Sequence, residues 1–269
     1  MKNSVVLVGQ DSFSEAQLFF NKFQNEKIFI LVDENSKKYC LDNFISFFFS
    51  LKKAIILEIK AGESFKSIST IDLLTNQLIQ HRAEKQSLFI NLGGGVVSDI
   101  GGFLASIFNR GITYVNVPTT LLSQVDASIG GKTALNFNHV KNKLGSFYKP
   151  KMVLIVPLFL KTLRQIELIS GFGEIFKYSL ISDKEMWSIL KRTDFQLDIN
   201  LEKLISKSII IKENIVKKDM FDYNIRRVLN FGHTIGHAIE SAYFGDVKFN
   251  HGICVVIGMI CESYISNKL

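Results

Sequence analysis

Three of the five histidines of this 269-residue chain lie after Pro157, in segments that could form a metal site. His233 and His237 are four residues apart in LNFGHTIGHAIE, a spacing that places both imidazoles on one face of a helix. His251 follows in NHG, and Glu174 lies upstream in GFGEIFK, where glycines allow close packing. Two histidines and a carboxylate are typical ligands of a catalytic divalent metal with a position open for substrate. These residue types predict a metal site, although a histidine by itself is more often structural.

A run of three glycines in NLGGGVVSD, residues 91–99, could bind a phosphate. It follows an apolar run and precedes a helical pattern, so the glycines would let backbone amides at a helix N-terminus approach an anion. The run differs from the GxGxxG pattern of dinucleotide-binding turns. A tight strand–helix turn without a ligand is therefore an equally good interpretation of the glycines alone.

A second polar segment, PTTLLSQVDASIGGKT, supports the anion-binding interpretation. Thr119 and Thr120 could donate hydroxyl groups near a helix start, and two glycines precede Lys132. Asp126 lies six residues before Lys132, which predicts an acid and a base near the same loop. The alternative is a helix-capping aspartate and a solvated lysine, which fits either residue alone better than it fits the combination.

The elements that would position these residues change character along the chain. Six apolar runs read as strands, at 5–8, 28–32, 54–59, 88–92, 112–117 and 152–156. Most are continuous rather than alternating, as in a parallel sheet covered on both faces, and a helical pattern such as 67–82 separates them. The first part therefore predicts a Rossmann-like, doubly wound α/β domain.

After Pro157 the strand signals fade and helical patterns continue to the end, for example over 202–218. We expect a domain boundary near this proline, with an α/β domain over 1–157 and an all-helical domain over 158–269. Neither part contains an internal repeat or a low-complexity linker.

Composition excludes several classes of protein. The chain is 47% hydrophobic and 21% charged, which is typical of a globular protein. Its net charge of +7 is spread along the sequence, so we expect no nucleic-acid partner, and a basic site for a small anion remains an alternative to a lysine-rich surface. Three scattered cysteines and short apolar runs predict a cytoplasmic location, with no secretion signal and no membrane span.

Together, these segments resemble the 3-dehydroquinate synthase family of the shikimate pathway. The matching text runs from about residue 62 to 262 in the family's order: GGGVVSDIGGFLASIFNRGI, VPTTLLSQVDASIGGKTALN, KNKLGSFYKP, GFGEIFKYSLI, RRVLNFGHTIGHAIE and NHGICVVIGM. The combination of GGK after PTTLL-QVD with the later GHT-GHAIE is highly specific. The resemblance implies a Rossmann-like NAD-binding domain followed by a helical domain that binds metal and substrate.

The resemblance also implies roles for individual residues. Zinc or cobalt would be bound by Glu174, His233 and His251. NAD would be bound by Asp33, Glu63, Lys66, Gly93, Gly94, Gly95, Val96, Val97, Ser98, Asp99, Thr119, Thr120, Lys132, Lys141, Phe159, Leu160, Lys161 and Thr162. The substrate and catalytic positions would be Asp126, Lys132, Asn142, Lys177, Lys212, Arg226, Asn230 and His237. Arg110 matches an arginine that the family contributes across a dimer interface, which implies a homodimer.

The implied reaction converts 3-deoxy-arabino-heptulosonate 7-phosphate to 3-dehydroquinate and phosphate. NAD⁺ would transiently oxidise a hydroxyl, phosphate would leave, the hydride would return, and the ring would open and reclose as a carbocycle. His237 would act as a proton carrier because imidazole titrates near neutrality. A related sugar phosphate cyclase, a metal-dependent polyol dehydrogenase and an inactive remnant are the alternatives.

The chain also departs from the family pattern. Where the family usually has DExE, this chain has Asp219-Met220-Phe221-Asp222, and where it has HGE the third residue is Ile253. A carboxylate at the latter position could support the metal ligands. Members typically continue for several dozen residues beyond the HG-GM motif, so we interpret this chain as C-terminally shortened. We accordingly expect apolar helix faces such as 253–260 to be exposed.

Overall fold

The apolar runs form a six-stranded parallel sheet in this computed structural model, which describes residues 4–138, 140–192, 200–243 and 246–269. The strand order is β1-β8-β5-β4-β2-β3. The strands are β1 (Val5–Val8), β2 (Ile28–Asp33), β3 (Ile55–Ile59), β4 (Leu88–Gly93), β5 (Thr113–Pro118) and β8 (Met152–Ile155). All six strands predicted from the sequence are confirmed, with bounds that shift by at most one residue.

Both faces of the sheet's central strands are buried, which explains why most of their residues are apolar. On β2, Ile30 and Val32 join one hydrophobic cluster, while Phe29 and Leu31 join another on the opposite face. Each of these side chains is fully buried, and such burial stabilises the fold by about 1.5–3 kcal/mol per residue. The helices of this part are α1 (Phe13–Asn21), α2 (Glu34–Ser36), α3 (Asp42–Phe47), α4 (Ile68–Gln80) and α5 (Gly95–Ile107).

An antiparallel hairpin, which the sequence analysis missed, lies between β5 and β8 along the chain. Strand β6 (Lys132–Phe137) pairs with β7 (Val140–Phe147) in a separate two-stranded sheet. The polar run Lys141-Asn142-Lys143 hides the strand pattern of β7. The hairpin packs on α5, where a Cβ at Gly102 would lie 2.7 Å from Thr133 Cγ2. The sheet, these helices and the hairpin form one compact unit, residues 1–119 and 131–162.

The second compact unit, residues 120–130 and 163–269, is helical wherever the structure describes regular elements in it. Its main helices are α6 (Gln165–Ser182), α7 (Lys184–Arg192), α8 (Leu201–Lys218), α9 (His233–Ala242) and α10 (His251–Ser266). A short π-helical segment, Ser123–Ala127, packs on α6 and α8. That packing explains why residues 120–130 belong to this unit, whereas the limits 1–157 and 158–269 stay a prediction of domain organisation.

Helix α10 is more buried than we expected from the sequence. Within 253–260, Cys254, Val255 and Met259 are buried and Ile260 is 66% exposed. The expectation of an exposed apolar face is therefore wrong for the buried residues, because α10 packs closely on both α6 and α9, while Ile253, Val256 and Ile257 are half-buried and Ile260 is exposed. Among the described residues, none of the helices combines the length and apolar character that crossing a bilayer would require.

Candidate functional site

Four side chains of the second unit form a cluster, which we call the metal cluster: Glu174, His233, His237 and His251. Glu174 lies on α6, His233 and His237 on α9, and His251 at the start of α10. The three imidazole rings are 5.1–5.6 Å apart between centroids. One nitrogen of each histidine lies within 4.8 Å of the others, a geometry that could hold a metal ion. The predicted helical placement of His233 and His237 on one face is confirmed.

The carboxylate of Glu174 is fully buried and faces two of the histidines. Its Oε1 atom is 3.5 Å from His233 Nε2 and 3.4 Å from His251 Nε2. It also forms an ion pair with Lys177, one turn away on the same helix. Burial alone would raise the pKa of Glu174, but the Lys177 ammonium lowers that pKa to about 2. The carboxylate is therefore ionised at neutral pH.

Both flanking histidines are oriented by their other ring nitrogen. His233 Nδ1 is 3.2 Å from the Phe231 carbonyl, and His251 Nδ1 is 3.3 Å from Glu240 Oε2. Burial lowers the pKa of His233 to about 4. Burial would also lower the pKa of His251, yet its close contacts with the carboxylates of Glu174 and Glu240 raise it to about 9.

The Glu240 contact was not predicted from the sequence. The family pattern has a carboxylate near His251 at position 253, where this chain has isoleucine. Glu240 lies seven residues after His233, two helical turns along α9, which was the available signal. The carboxylate that supports His251 thus comes from α9 rather than from its own helix.

The beginning of α9 is fixed by a residue from α10. Gly232 adopts a left-handed conformation, with φ of 81°, and provides the N-cap of α9 without a side chain. Glu262 compensates, because its carboxylate accepts hydrogen bonds from the amides of Gly232, Thr234 and Ile235 at 2.7, 3.1 and 3.3 Å. This carboxylate satisfies first-turn amides and favours the helix dipole. His233, the first residue of α9, is held in place as a result.

The metal cluster fits a divalent ion. The Glu174 oxygens are buried and, apart from the Lys177 ion pair, accept no well-formed hydrogen bond from the residues that the structure describes, which leaves them available to a metal ion. Two ligands of a tetrahedral zinc, each at about 2.0–2.1 Å, lie about 3.3 Å apart. The observed separations of 3.4 and 3.5 Å agree with that spacing. His237 belongs to the same cluster, so the choice between Glu174 and His237 as a ligand stays a prediction.

A second group, which we call the Asp126 cluster, comprises Asp126, Tyr178 and Lys212. The buried Lys212 ammonium lies 2.8 Å from Asp126 Oδ1 and donates to the Asp126 carbonyl at 2.7 Å, and the Tyr178 hydroxyl donates to Oδ1. Burial would raise the pKa of Asp126, but Lys212 and Lys177 hold it far below the usual range. Burial also lowers the pKa of Lys212 and raises that of Tyr178. The cluster holds charge where Lys212 is buried and the Asp126 side chain is 26% exposed.

Arg226 and Asn230 lie on the helical turn Ile225–Asn230. Arg226 is buried, and its Nη1 donates to the Met220 carbonyl at 2.6 Å. Asp219 organises this segment, because its carboxylate accepts from the amides of Tyr223, Asn224 and Arg226. At position 220, where the family pattern has an acid, this chain contributes its backbone carbonyl to Arg226. Asn230 is exposed and lines an open groove.

In the first unit, the predicted phosphate-binding glycines lie where β4 ends and α5 begins. Gly94 is the N-cap of α5 and has no side-chain cap, so the first-turn amides of the helix point towards a ligand position. A Cβ at Gly93 would lie 2.5 Å from Val97, which explains that glycine. The Thr119 amide donates to the Gly93 carbonyl at 3.0 Å, joining β5 to the same turn. A dinucleotide phosphate fits this arrangement.

Other predicted cofactor residues gather around Lys66, which is 4% exposed. Its ammonium lies 2.6 Å from both Asp99 Oδ2 and Asn142 Oδ1, and 3.9 Å from Glu63 Oε1. Asp33 ends β2 and caps α2 through the Ser36 amide at 2.7 Å. The remaining predicted positions are half-buried or exposed at Val96, Lys132, Lys141, Lys161 and Thr162, and buried at Val97, Ser98, Phe159 and Leu160.

Two further predicted residues, Arg110 and Thr120, have local contacts outside these groups. Arg110 is exposed and left-handed, with φ of 58°, in a loop whose Asn109 and Gly111 carbonyls accept from Lys85. Thr120 belongs to the second unit, where its hydroxyl contacts Ser123 Oγ at 2.8 Å. The roles assigned to all these residues by the resemblance stay predictions.

Comparison with known proteins identifies the family of the chain. A family model described as 3-dehydroquinate synthase N-terminal matches residues 56–170, and one described as 3-dehydroquinate synthase C-terminal matches residues 171–269. The 3-dehydroquinate synthase of Parabacteroides distasonis is 40% identical over 273 residues, an alignment that covers all of this chain and 77% of that protein.

Solved structures agree with this fold. A 2-deoxy-scyllo-inosose synthase, crystallised with carbaglucose-6-phosphate, NAD⁺ and Co²⁺, superposes with a TM-score of 0.86 at 26% identity, over 98% of this chain and 74% of that one. The 2-epi-5-epi-valiolone synthase of Streptomyces hygroscopicus, with NAD⁺ and Zn²⁺ bound, gives a TM-score of 0.83 at 26% identity, over 96% and 73%. The predicted α/β fold with a helical second part is confirmed.

Proposed function

The chain belongs to the 3-dehydroquinate synthase family, and we propose that it converts 3-deoxy-arabino-heptulosonate 7-phosphate to 3-dehydroquinate and phosphate. It would act as a carbon–oxygen lyase that uses NAD and a divalent metal, zinc or cobalt. The observation that carries this proposal is the buried, ionised Glu174 facing His233 and His251, in a chain 40% identical to a curated synthase along its whole length.

The metal cluster would hold the ion through Glu174, His233 and His251. When bound, the metal would polarise a substrate hydroxyl and NAD would accept and later return its hydride. Glu240 supports the binding by orienting His251, since its carboxylate contacts the opposite ring nitrogen. Lys177 keeps Glu174 ionised and therefore able to act as a ligand.

The cations of the second unit suit an anionic sugar acid phosphate. Lys177, Lys212 and Arg226 are each buried, so their interactions with a carboxylate or phosphate are weakly screened by solvent. Arginine is suited to a two-point grip of such groups. Asp126 remains ionised beside them and orients the Lys212 ammonium, while Asn230 offers an exposed amide.

Proton movement would fall to His237. Its ring lies 5.1 Å from that of His233 and 5.6 Å from that of His251, yet its side chain is exposed. An imidazole that reaches solvent can take a proton from the substrate and release it to water. We assign it this role rather than a ligand role because Glu174 is already buried between the other two histidines.

NAD would bind the first unit at the glycine turn, residues 93–95, with its phosphates at the N-terminus of α5. Asp33, Glu63, Lys66 and Asp99 would contact the rest of the cofactor, together with the other positions that the resemblance implies. Lys132 and Asn142 would bind substrate. Arg110, in its exposed left-handed loop, would reach a second copy of the chain, so we propose a homodimer.

The test is phosphate release from the heptulosonate phosphate with catalytic NAD⁺ and added Zn²⁺ or Co²⁺, against a chelator control. We expect chelator-sensitive release with equimolar dehydroquinate, and loss of both turnover and metal binding in His233→Ala while NADH affinity is kept. NADH accumulation without phosphate release would instead indicate a polyol dehydrogenase. A folded, NADH-binding protein without release would indicate an inactive remnant.

A further inference from the structure

Asn136 lies at an irregularity in the β6–β7 hairpin. Leu135 pairs with Leu144 and Phe137 pairs with Val140, so between these pairs one residue of β6 faces three residues of β7, Lys141 to Lys143. Such bulges re-aim side chains and are common beside functional sites. Asn142, at the middle of the bulge, is left-handed with φ of 55°. A residue held in this conformation requires support from its surroundings.

Asn136 provides that support through its Oδ1 atom, which accepts a hydrogen bond from the Asn142 amide at 2.9 Å. The orientation of the Asn136 side-chain amide is fixed by its partners, since Oδ1 faces a donor and Nδ2 faces two acceptors. The other end of Asn142 is also fixed, because its Oδ1 accepts from the buried Lys66 ammonium at 2.6 Å. Main chain and side chain of Asn142 are therefore held by separate groups.

The remaining polar groups of Asn136 contact the segment Gly62–Lys66, which we call the cofactor turn. Asn136 Nδ2 donates to Glu63 Oε1 at 2.8 Å and to the Glu63 carbonyl at 3.3 Å. The backbone N–H of Asn136 donates to the Lys66 carbonyl at 2.8 Å rather than to β7. One half-buried residue thus links both ends of the cofactor turn to the bulge that carries Asn142.

We propose that Asn136 is a positioning residue that couples NAD binding at the cofactor turn to the substrate-binding conformation of Asn142. The inference rests on the proposed function, because that function assigns NAD to Glu63 and Lys66 and substrate to Asn142. NAD that orders Glu63 also fixes Asn136, and Asn136 then holds the left-handed Asn142 ready for substrate. Substrate must by the same linkage tighten the binding of the cofactor.

The experiment measures this reciprocity with NADH fluorescence titrations of the full chain, with and without saturating heptulosonate phosphate. In the wild type we expect substrate to lower the Kd for NADH by at least about fivefold. In Asn136→Ala this factor falls below about twofold, because the side-chain link from Glu63 to the Asn142 amide is lost, although the main-chain hydrogen bond from Asn136 to the Lys66 carbonyl remains. An effect confined to folding would lower the fraction of active protein or the melting temperature and leave the factor unchanged, and that result would overturn the proposal.

Ser146→Ala is the matched control. Ser146 lies on β7 of the same hairpin, contacts Thr133 Oγ1 at 2.7 Å and Ser106 Oγ at 2.9 Å, and has no contact with the cofactor turn in the described structure. We expect it to lower stability slightly and to keep the coupling factor. Loss of coupling in this variant as well would overturn the proposal, because any loosening of the hairpin would then suffice.

Asn136→Asp tests the proposal if the alanine variant does not fold. It keeps the volume and the acceptor for the Asn142 amide but replaces the donor to Glu63 with a repelling carboxylate. We expect the coupling factor to be lost; full coupling in this variant overturns the proposal. A wild type that releases phosphate but shows no coupling also overturns it while the proposed function survives. A wild type that binds NADH without releasing phosphate overturns the proposed function instead.

Discussion

The two compact units prepare their binding groups in different ways. In the first unit, the glycine turn presents backbone amides, and its shape depends on positions where a side chain would collide. In the second unit, the metal and Asp126 clusters present ionised side chains, and Glu174, Lys177 and Lys212 are nearly or fully buried. Backbone amides therefore depend on the absence of a colliding side chain, whereas a buried charge depends on its partner.

This difference predicts where each unit is vulnerable. Removing one member of a buried ion pair leaves an uncompensated charge, which costs about 3–5 kcal/mol. Adding a methyl group at a close backbone contact forces the packed elements apart, which costs about 1–3 kcal/mol or more. The second unit has both buried ion pairs and close backbone contacts, whereas the first unit has mainly close backbone contacts. The experiments below compare matched changes in the two units, beginning with the largest effect.

The largest effect is expected for Glu174→Gln. It removes a proposed metal ligand and leaves the Lys177 ammonium buried without its anion. We expect bound zinc and turnover to fall by more than about 100-fold, because even residues that support a ligand cost about 10–100-fold. NADH binding should persist, since we propose that NAD binds the first unit.

Asp99→Asn is the matched change in the first unit, where Asp99 lies 2.6 Å from Lys66 and its side chain is 18% exposed. Because solvent reaches this pair, we expect a smaller loss of unfolding free energy than in Glu174→Gln, and unchanged zinc content. Equal loss of zinc in both variants, measured by metal analysis after dialysis, would contradict the separation of the two binding functions.

The next effect concerns close contacts between elements. A Cβ at Gly252 would lie 1.8 Å from the backbone oxygen of Ser170, so Gly252→Ala must separate α10 from α6. A Cβ at Gly101 would lie 1.7 Å from the side-chain oxygen of Asn91. We expect Gly252→Ala to lower the free energy of unfolding by about 3 kcal/mol or more, and Gly101→Ala by about 1–3 kcal/mol.

The two glycines also differ in whether the clash can be relieved. Adding Asn91→Ala to Gly101→Ala removes the side chain that the new methyl group would meet, although it deprives Asn116 of a donor at 2.8 Å. Urea unfolding should therefore show the double variant to be more stable than the two single changes would give by addition. Simple additivity would mean that Asn91 does not limit the space at position 101.

The same contrast explains what the sequence could predict. The strands of the sheet follow from local apolar runs such as 28–32, and the helical spacing of His233 and His237 follows from one segment. The β6–β7 hairpin was missed because its second strand is polar and carries a bulge at Lys141 to Lys143. The Glu240 contact with His251 depends on the packing of α9 on α10, which no local pattern contains.

Resemblance to a family supplied what local patterns could not. It brought Asp126, Lys177 and Lys212 into one list, and the structure places these three in electrostatic contact within the second unit. Their separation in sequence, across the segment 123–127 and helices α6 and α8, allows no derivation from spacing. The partner of each charge, Tyr178 for Asp126 among them, became visible only in the folded chain.

A smaller effect is expected for Lys212→Met, and it depends on pH. The variant removes the ammonium that lies 2.8 Å from Asp126 Oδ1, so the pKa of Asp126 should rise and stability at pH 7 should fall by about 2 kcal/mol. In the wild type, the low pKa of Asp126 contributes stability above the unfolded-state pKa near 4, which is lost as the pH falls towards the folded-state value.

The sign of the pH effect follows from this linkage. In Lys212→Met the raised pKa of Asp126 leaves less of that contribution to lose, so the gap between wild type and variant should narrow below about pH 4. Thermal unfolding between about pH 3 and pH 8 measures the gap on both sides of the unfolded-state pKa. A gap that stays constant to the acid end of this range would show that Lys212 stabilises the fold by packing rather than by its charge.

The smallest effects are expected at the surface ion pairs of two lysines, one in each unit. Lys207 contacts Asp183 at 3.1 Å and Glu185 at 2.8 Å, and its side chain is 22% exposed. Lys37 contacts Glu58 at 2.5 Å, with a side chain that is 49% exposed. Hydrogen bonds with Lys207 lower the pKa of Glu185. Burial would raise the pKa of Asp183, but hydrogen bonds from backbone amides and from Lys207 lower it.

Lys207→Gln should therefore lower the melting temperature more than Lys37→Gln, because one ammonium serves two carboxylates that would otherwise repel each other. Both shifts should stay below about 3 °C, since exposed pairs contribute little. Salt shows whether the difference is electrostatic, because it screens exposed charges. At about 1 M NaCl the melting temperatures of both variants should approach that of the wild type. If the lower melting temperature of Lys207→Gln persists at high salt, Lys207 stabilises the fold by packing its aliphatic stem on α7. The comparison of charges between the two units would then hold only for buried groups.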